Sequence, residues 1–144
     1  MKILLTTLLV IMTLSSADAD VLGDLKWKNR VLLLDFPEGS GYNLSQLEKQ
    51  IQRGKKNISN RDLVLFHIGD LGKTGRRYAE ELSEEDRKSI RTKLKLGERS
   101  ELPLIILIGK DGGIKAAQKK DFDLVKLFKL IDTMPMRKKE MEEE

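Results

Sequence analysis

The segment that most constrains the fold spans residues 102–115. Its first half is an unbroken apolar run that ends at Ile108, and a Gly-Lys-Asp-Gly-Gly sequence and a second short apolar stretch follow. A run without polar alternation predicts a strand buried on both faces, and the glycine-rich sequence predicts a hairpin turn. Such a strand needs structure above and below it, so we expect helices on both faces of its sheet.

Two further apolar runs, residues 31–36 and 62–68, predict two more buried strands. Between them, Asn43 is a good N-cap residue, and apolar residues that share one face follow it. This pattern predicts a helix, which Gly54 is expected to end. Because the links are short, the unit is strand, helix, strand, and the two strands should be parallel.

Two more helices are predicted in the second half of the chain. The first begins at Ser83 with a capping-box-like sequence and ends at Gly97, and Asp121 caps the second. The sequence Met-Pro-Met at 134–136 should stop the last helix and leave residues 137–144 as a mobile charged tail. The resulting order, β-α-β-α-β-β-α with a mixed four-stranded sheet, predicts a thioredoxin-like three-layer α/β/α fold. Another three-layer α/β arrangement is the alternative.

The first nineteen residues predict a secretory signal peptide. Met1-Lys2 forms a short positive region, residues 3–14 form an apolar region, and Ala17 and Ala19 precede a cleavage site before Asp20. An apolar run of about twelve residues is too short to be a membrane anchor, which needs about twenty. We therefore expect an exported protein, periplasmic or extracellular, with one domain over residues 20–136 and no membrane attachment after cleavage.

Several sequences resemble a known family, the domain of unknown function found in small exported bacterial proteins. The same domain occurs in animal extracellular proteins of the sushi-repeat and down-regulated-by-oncogenes type. The resemblance rests on residues 109–115, 130–137, 140–141, 27–30 and 61–63. It implies a thioredoxin- or peroxiredoxin-like fold with no assigned biochemical activity, and it supplies no catalytic residues. Pro103 departs from the pattern, since other members more often have a different residue there.

The chain contains no cysteine. Thiol–disulfide exchange and thiol peroxidase chemistry both need a thiolate, so this chain cannot carry out either reaction. In thioredoxin-like enzymes the reactive cysteine lies between the first strand of the parallel pair and its helix, where this chain has Phe36 to Tyr42. Ser40 in this segment is a weak candidate nucleophile, because the single histidine would have to reach it.

The single histidine, His67, lies at the end of a predicted strand, where α/β proteins often bind ligands. We expect it to be half-buried and hydrogen-bonded. A metal site with Asp70 lacks a second histidine or a cysteine, and a phosphate-binding loop would need glycine at position 67. We therefore predict no metal and no cofactor.

The sequence favours a non-catalytic binding or scaffold module with an unknown protein or peptide partner. Its expected contact surface consists of Phe36, Pro37, Tyr42, His67 and Pro103, and a cis bond before Pro103 would shape a peptide groove there. The alternative is an enzyme that uses Asp35, His67 and Asp70 at the same edge.

The net charge of +4 has interleaved signs, so no nucleic-acid partner is predicted. Trp27 is expected to anchor the edge of the core; ligand stacking is the alternative role for it.

Overall fold

The structure is a computed structural model that describes residues 20–37, 43–69, 79–80, 82–97, 103–119 and 122–144. The predicted signal peptide, residues 1–19, lies outside the described residues. The elements are α1 (Val21–Leu25), β1 (Arg30–Asp35), α2 (Leu44–Asn60), β2 (Leu63–His67), α3 (Glu84–Lys93), β3 (Leu104–Ile108), β4 (Ile114–Gln118), α4 (Leu124–Asp132) and α5 (Pro135–Glu143).

The four strands form one mixed sheet in the order β2-β1-β3-β4. β1 and β2 are parallel, with Leu34 opposite His67, which confirms the predicted strand-helix-strand unit. β3 runs antiparallel to both β1 and β4, and Asp35 pairs with Leu104. The predicted hairpin is therefore present, and Gly112 takes the positive φ of 81° that its turn requires.

Helices cover both faces of this sheet. All six residues of β1 are buried, as expected for a strand with apolar layers on either side. On one face, Ile51 of α2 and Phe128 of α4 belong to the larger apolar core. On the opposite face, Ile90 of α3 and Leu22 of α1 pack with the smaller one. The arrangement is the three-layer α/β/α architecture that the sequence predicts.

α2 continues six residues beyond Gly54, where its end was predicted. A Cβ atom on Gly54 would lie 2.5 Å from Leu124 Cδ2 and 3.5 Å from the Phe128 ring. The glycine therefore permits close approach of α2 and α4, and it does not act as a helix stop. Only the tertiary contact explains its presence at this position.

The predicted ends of two other helices also shift. α3 ends at Lys93, before the predicted stop at Gly97, because Lys95 adopts a φ of 55° and the Leu96 amide donates a hydrogen bond of 2.8 Å to the Arg91 carbonyl. These are the features of a Schellman motif. The N-cap of α4 is Asp123, whose side chain accepts from the Lys126 amide. The predicted cap, residue 121, lies outside the described residues.

Trp27 does not anchor the core edge, so that prediction is wrong. Its side chain is 62% exposed and its φ is 67°. The Trp27 amide donates a hydrogen bond of 2.6 Å to the Lys110 carbonyl, and Lys26 Nζ lies 5.4 Å from the ring centroid. The left-handed backbone turns the chain from α1 into β1 and directs the indole outward.

Residues 137–144 are not the mobile tail that was predicted. Pro135 occupies the first turn of α5, where its missing N–H costs little, so it starts a helix and does not simply end the preceding one. Arg137 is 2% exposed and pairs with Asp132 at 3.4 Å and with Glu144 at 3.2 Å. These ion pairs hold the charged helix against the domain.

Candidate functional site

Three of the predicted contact residues meet at one edge of the sheet, where β1 and β2 end and β3 begins. Phe36 follows β1, His67 ends β2, and Pro103 precedes β3, so the strand register brings all three to the same edge. The rings of Phe36 and His67 are stacked, with their centroids 6.1 Å apart. We call this region, together with Pro37, the carboxyl edge.

The side chains of the carboxyl edge differ in exposure. Phe36 is 1% exposed and Pro103 is buried, so both support the surface from below. Pro37 and His67 are partly exposed, but the Nε2 atom of His67 is itself buried. The predicted half-burial of His67 is confirmed. Tyr42, Asp70 and the residue that precedes Pro103 lie outside the described residues, and so do Ser40 and the isomer of the bond before Pro103.

Asp35 ends β1 with its side chain only 2% exposed. Its Oδ2 atom accepts a hydrogen bond of 2.7 Å from Arg91 Nη2, and the same nitrogen donates to the Ile68 carbonyl at 3.2 Å. The other terminal nitrogen of Arg91 donates to the Gly97 carbonyl at 2.9 Å. Arg91 therefore joins the end of β1 to α3, and the Asp35 carboxylate is engaged in this buried ion pair.

The sequence pattern alone does not indicate a role for Arg91. The sequence feature that indicates a buried cation near this strand is Asp35. A carboxylate that ends a run of buried apolar residues needs a cation or several donors, because an unpaired buried charge is costly. A partner was therefore required, although its position in the sequence was not determined.

Gly69 closes the carboxyl edge at β2. A Cβ atom on this residue would lie 2.5 Å from Asp35 Oδ1, 3.2 Å from His67 Cε1 and 3.2 Å from the Phe36 nitrogen. The chain therefore passes so close to Asp35 that a larger residue requires a shift in the carboxylate or the backbone. The edge is tightly packed around the Asp35–Arg91 pair.

A second cluster of charges lies at the opposite edge, where β1 begins and β3 ends. The Glu140 carboxylate of α5 accepts two hydrogen bonds of 3.1 Å from Arg30, which is 1% exposed, and pairs with Lys110 at 2.7 Å. Lys110 also pairs with Asp62 at 2.7 Å. We call Arg30, Asp62, Lys110, Arg137 and Glu140 the Glu140 cluster.

The Glu140 cluster unites the sequences on which the family resemblance rests. Arg30, Asp62, Lys110, Arg137 and Glu140 each come from a different one of those sequences, and all make ion pairs within it. Burial opposes ionisation of Glu140, but the hydrogen bonds from Arg30 and Lys110 outweigh it and lower the pKa of Glu140 to about 2. The cluster attaches α5 to the sheet, so its role is structural.

A neighbouring ion pair extends the cluster toward α4. Arg61 binds Asp132 through two hydrogen bonds of 3.0 and 2.7 Å, and its guanidinium lies 4.6 Å from the Phe128 ring centroid. Burial opposes ionisation of Asp132, but hydrogen bonds from Arg61 and Arg137 outweigh it and lower the pKa of Asp132. The carboxylate therefore stays charged at neutral pH.

Within the described part of the chain, no three histidine, aspartate or glutamate side chains are grouped to hold a metal ion. Among the same residues, no helix has the length and apolar character required to cross a bilayer.

Solved structures similar to this one share its fold. The reduced 2-Cys peroxiredoxin of Plasmodium vivax matches with a TM-score of 0.57 and 15% identity, over 82% of this chain and 84% of its own. Thioredoxin peroxidase I of Plasmodium yoelii matches with a TM-score of 0.58 and 18% identity, over 82% of this chain and 79% of its own. The exposed lipoprotein thioredoxin of Streptococcus pneumoniae matches with a TM-score of 0.50 and 20% identity, over 78% of this chain and 90% of its own. At these identities the likeness establishes the fold alone, which is thioredoxin-like.

No curated protein matches the chain, so the resemblance to animal extracellular proteins stays a prediction. A family profile does match, over residues 21–140, and its description is a domain of unknown function, DUF4174. The match covers most of the chain and every strand of the sheet. The chain therefore belongs to the family of the DUF4174 domain of unknown function.

Proposed function

We propose that this chain is an exported, non-catalytic, thioredoxin-like binding module that contacts a protein or peptide partner through the carboxyl edge. The observation that carries the proposal is the strand register, which places Phe36, His67 and Pro103 at one edge. Ligands of α/β folds commonly bind where parallel strands end. The partly exposed Pro37 offers an apolar ring for contact, and His67 offers the exposed part of its side chain.

Two features support a binding role over a catalytic one. The chain has no cysteine, so the thiol chemistry associated with this edge is chemically impossible here. Asp35, the carboxylate considered for acid–base catalysis, is buried and paired with Arg91 at 2.7 Å. A carboxylate in such a pair stabilises the end of β1 and has little access to a substrate.

The test uses the mature protein, residues 20–144, immobilised on a resin and exposed to an extract of the exported fraction. Captured proteins are identified and purified, and their affinity is measured for the wild type and for the variants His67→Ala and Tyr42→Ala. Lys88→Ala on the exposed face of α3 is the matched control. We expect both edge variants to bind more weakly and the control to bind normally. Unchanged binding by both edge variants would refute the surface.

The non-catalytic part of the proposal has its own test. Purified protein is added to a disulfide-bonded reporter in the presence of a small dithiol reductant. We expect the rate of reporter reduction to equal the rate without protein. Turnover that depends on the concentration of pure protein would contradict the proposal.

A further inference from the structure

A groove of about 1100 Å³ lies between α2 and α4, on the face of the sheet that holds the larger apolar core. The described residues that line it do not include Phe36, Pro37, His67 or Pro103. The groove is therefore separate from the carboxyl edge, and an inference about it stands independently of the proposed function.

The floor of the groove is apolar. Gly54 allows α2 and α4 to approach closely, and the buried side chains of Leu124 and Phe128 lie beneath this point of contact. Val125 of α4 also lines the groove and is 61% exposed. An apolar floor with an exposed apolar side chain on its rim favours contact with apolar side chains of a ligand.

The walls of the groove carry amides, cations and two carboxylates. Both carboxylates are already paired, Asp123 with Lys126 and Asp132 with Arg61. Gln46 and Asn57 of α2 supply side-chain donors and acceptors along one wall. Arg53 of α2 and Lys129 of α4 are exposed on the two opposite walls. Neither cation has an ion-pair partner within the part of the chain that the structure describes, whereas Arg61 of the same groove is paired with Asp132.

We propose that the groove binds an extended, acidic segment of a partner protein. Two cations on opposite walls with no described ion-pair partner are electrostatically complementary to carboxylates, and the amides match the hydrogen-bonding groups of an extended backbone. In an extended segment alternate side chains point to opposite faces. A segment with alternating apolar and acidic residues therefore places its apolar side chains against the exposed Val125 and its carboxylates toward Arg53 and Lys129.

The length of the groove sets the length of the segment. Along α2 and its two capping residues the lining runs from Asn43 to Arg61, eighteen residues apart, which corresponds to about 27 Å of helix at 1.5 Å per residue. An extended chain covers this distance with about eight residues at roughly 3.3 Å each. The probe is accordingly a capped, fluorophore-labelled octapeptide of alternating glutamate and valine, and the matched peptide has glutamine in place of glutamate.

The experiment measures fluorescence anisotropy of the probe with the mature wild-type protein and two double variants. Arg53→Glu with Lys129→Glu reverses both charges of the groove. Lys56→Glu with Lys139→Glu makes the same change in net charge at exposed positions of α2 and α5 that do not line it. All four side chains are exposed, so both variants should retain wild-type circular dichroism spectra.

We expect the groove variant to bind the acidic peptide about tenfold more weakly or worse, and the control to stay within about twofold of wild type. The glutamine peptide should bind more weakly than the glutamate peptide, and raised salt should reduce this difference.

Failure of the acidic peptide to bind wild type, equal losses in both variants, or equal binding of the glutamine peptide would overturn the proposal. So would competition by a short single-stranded DNA, which would indicate a general polyanion site. His67→Ala should bind the probe normally, so this test and that of the carboxyl edge fail independently.

Discussion

The substitution Glu140→Gln tests how α5 is attached to the domain. α5 has no apolar stripe of its own: its two internal methionines, Met136 and Met141, are each 40% exposed, and its buried residue is Arg137. Attachment by the Glu140 cluster is therefore expected to dominate over apolar burial. Replacement by glutamine keeps the size of the side chain and removes its charge, which leaves Arg30 buried without its carboxylate partner.

The magnitude follows from the geometry. A change in the pKa of Glu140 from 4.5 to about 2 corresponds to at most about 3 kcal/mol of folding free energy. The carboxylate is 23% exposed, and solvent screening reduces this value, so we expect a loss of about 2 kcal/mol in the free energy of unfolding at pH 7. Urea denaturation followed by far-UV circular dichroism measures it directly.

The matched control is Glu142→Gln, which removes a charge from an exposed position of the same helix that forms no ion pair with the described residues. We expect a change within about 0.5 kcal/mol for this variant. Equal stability of the two variants would refute the attachment of α5 by the Glu140 cluster.

The pH dependence gives an independent check. Because the folded state lowers the pKa of Glu140, its contribution is complete above the unfolded value near 4.5 and is lost as the pH falls toward about 2. The difference in stability between wild type and Glu140→Gln should therefore be constant at neutral pH and shrink in acid. A difference that grows as the pH falls would contradict this assignment.

Three further predictions concern the edge, a helix end and the leader. Gly69→Ala should lower the free energy of unfolding by about 1–3 kcal/mol, because its Cβ atom would collide with Asp35. Gly113→Ala is the control, because its Cβ atom would make only ordinary contacts. Equal urea midpoints of the two variants would refute this prediction. Lys95→Gly should raise the free energy of unfolding by about 1 kcal/mol, because the φ of 55° is strained for lysine; a lowered urea midpoint would contradict it. N-terminal sequencing of the exported protein should begin at Asp20, and recovery of Met1 would overturn the predicted cleavage.

The strands and their order could be predicted because burial on both faces leaves a strong local pattern. The runs at 31–36 and 102–108 have few polar residues, so each reads as a central strand, and the glycine-rich sequence between 109 and 113 fixes the hairpin. The arrangement at the carboxyl edge follows from this order, because parallel strands end at the same edge. Phe36, His67 and Pro103 therefore lie at the same edge of the sheet.

The remaining features depend on contacts between residues distant in sequence. In the sequence Gly54 indicates a helix end, and only its contact with Leu124 shows that it serves helix packing. In the same way, Arg137 is typical of a charged tail in the sequence, but in the structure it pairs with Asp132 and Glu140. Arg91 reads as a surface cation because its partner, Asp35, is 56 residues away. Local propensity determines where elements form, but the partners of glycines and buried charges are set by the tertiary structure.

The most direct test of the account is an amide chemical-shift titration of the isotope-labelled mature protein with its captured partner. If the carboxyl edge is the binding site, the largest shifts should occur at Asp35, Phe36, His67, Gly69 and Leu104, and the His67→Ala variant should lose them. Shifts confined to α5 or β4, with none at these five amides, would contradict the account.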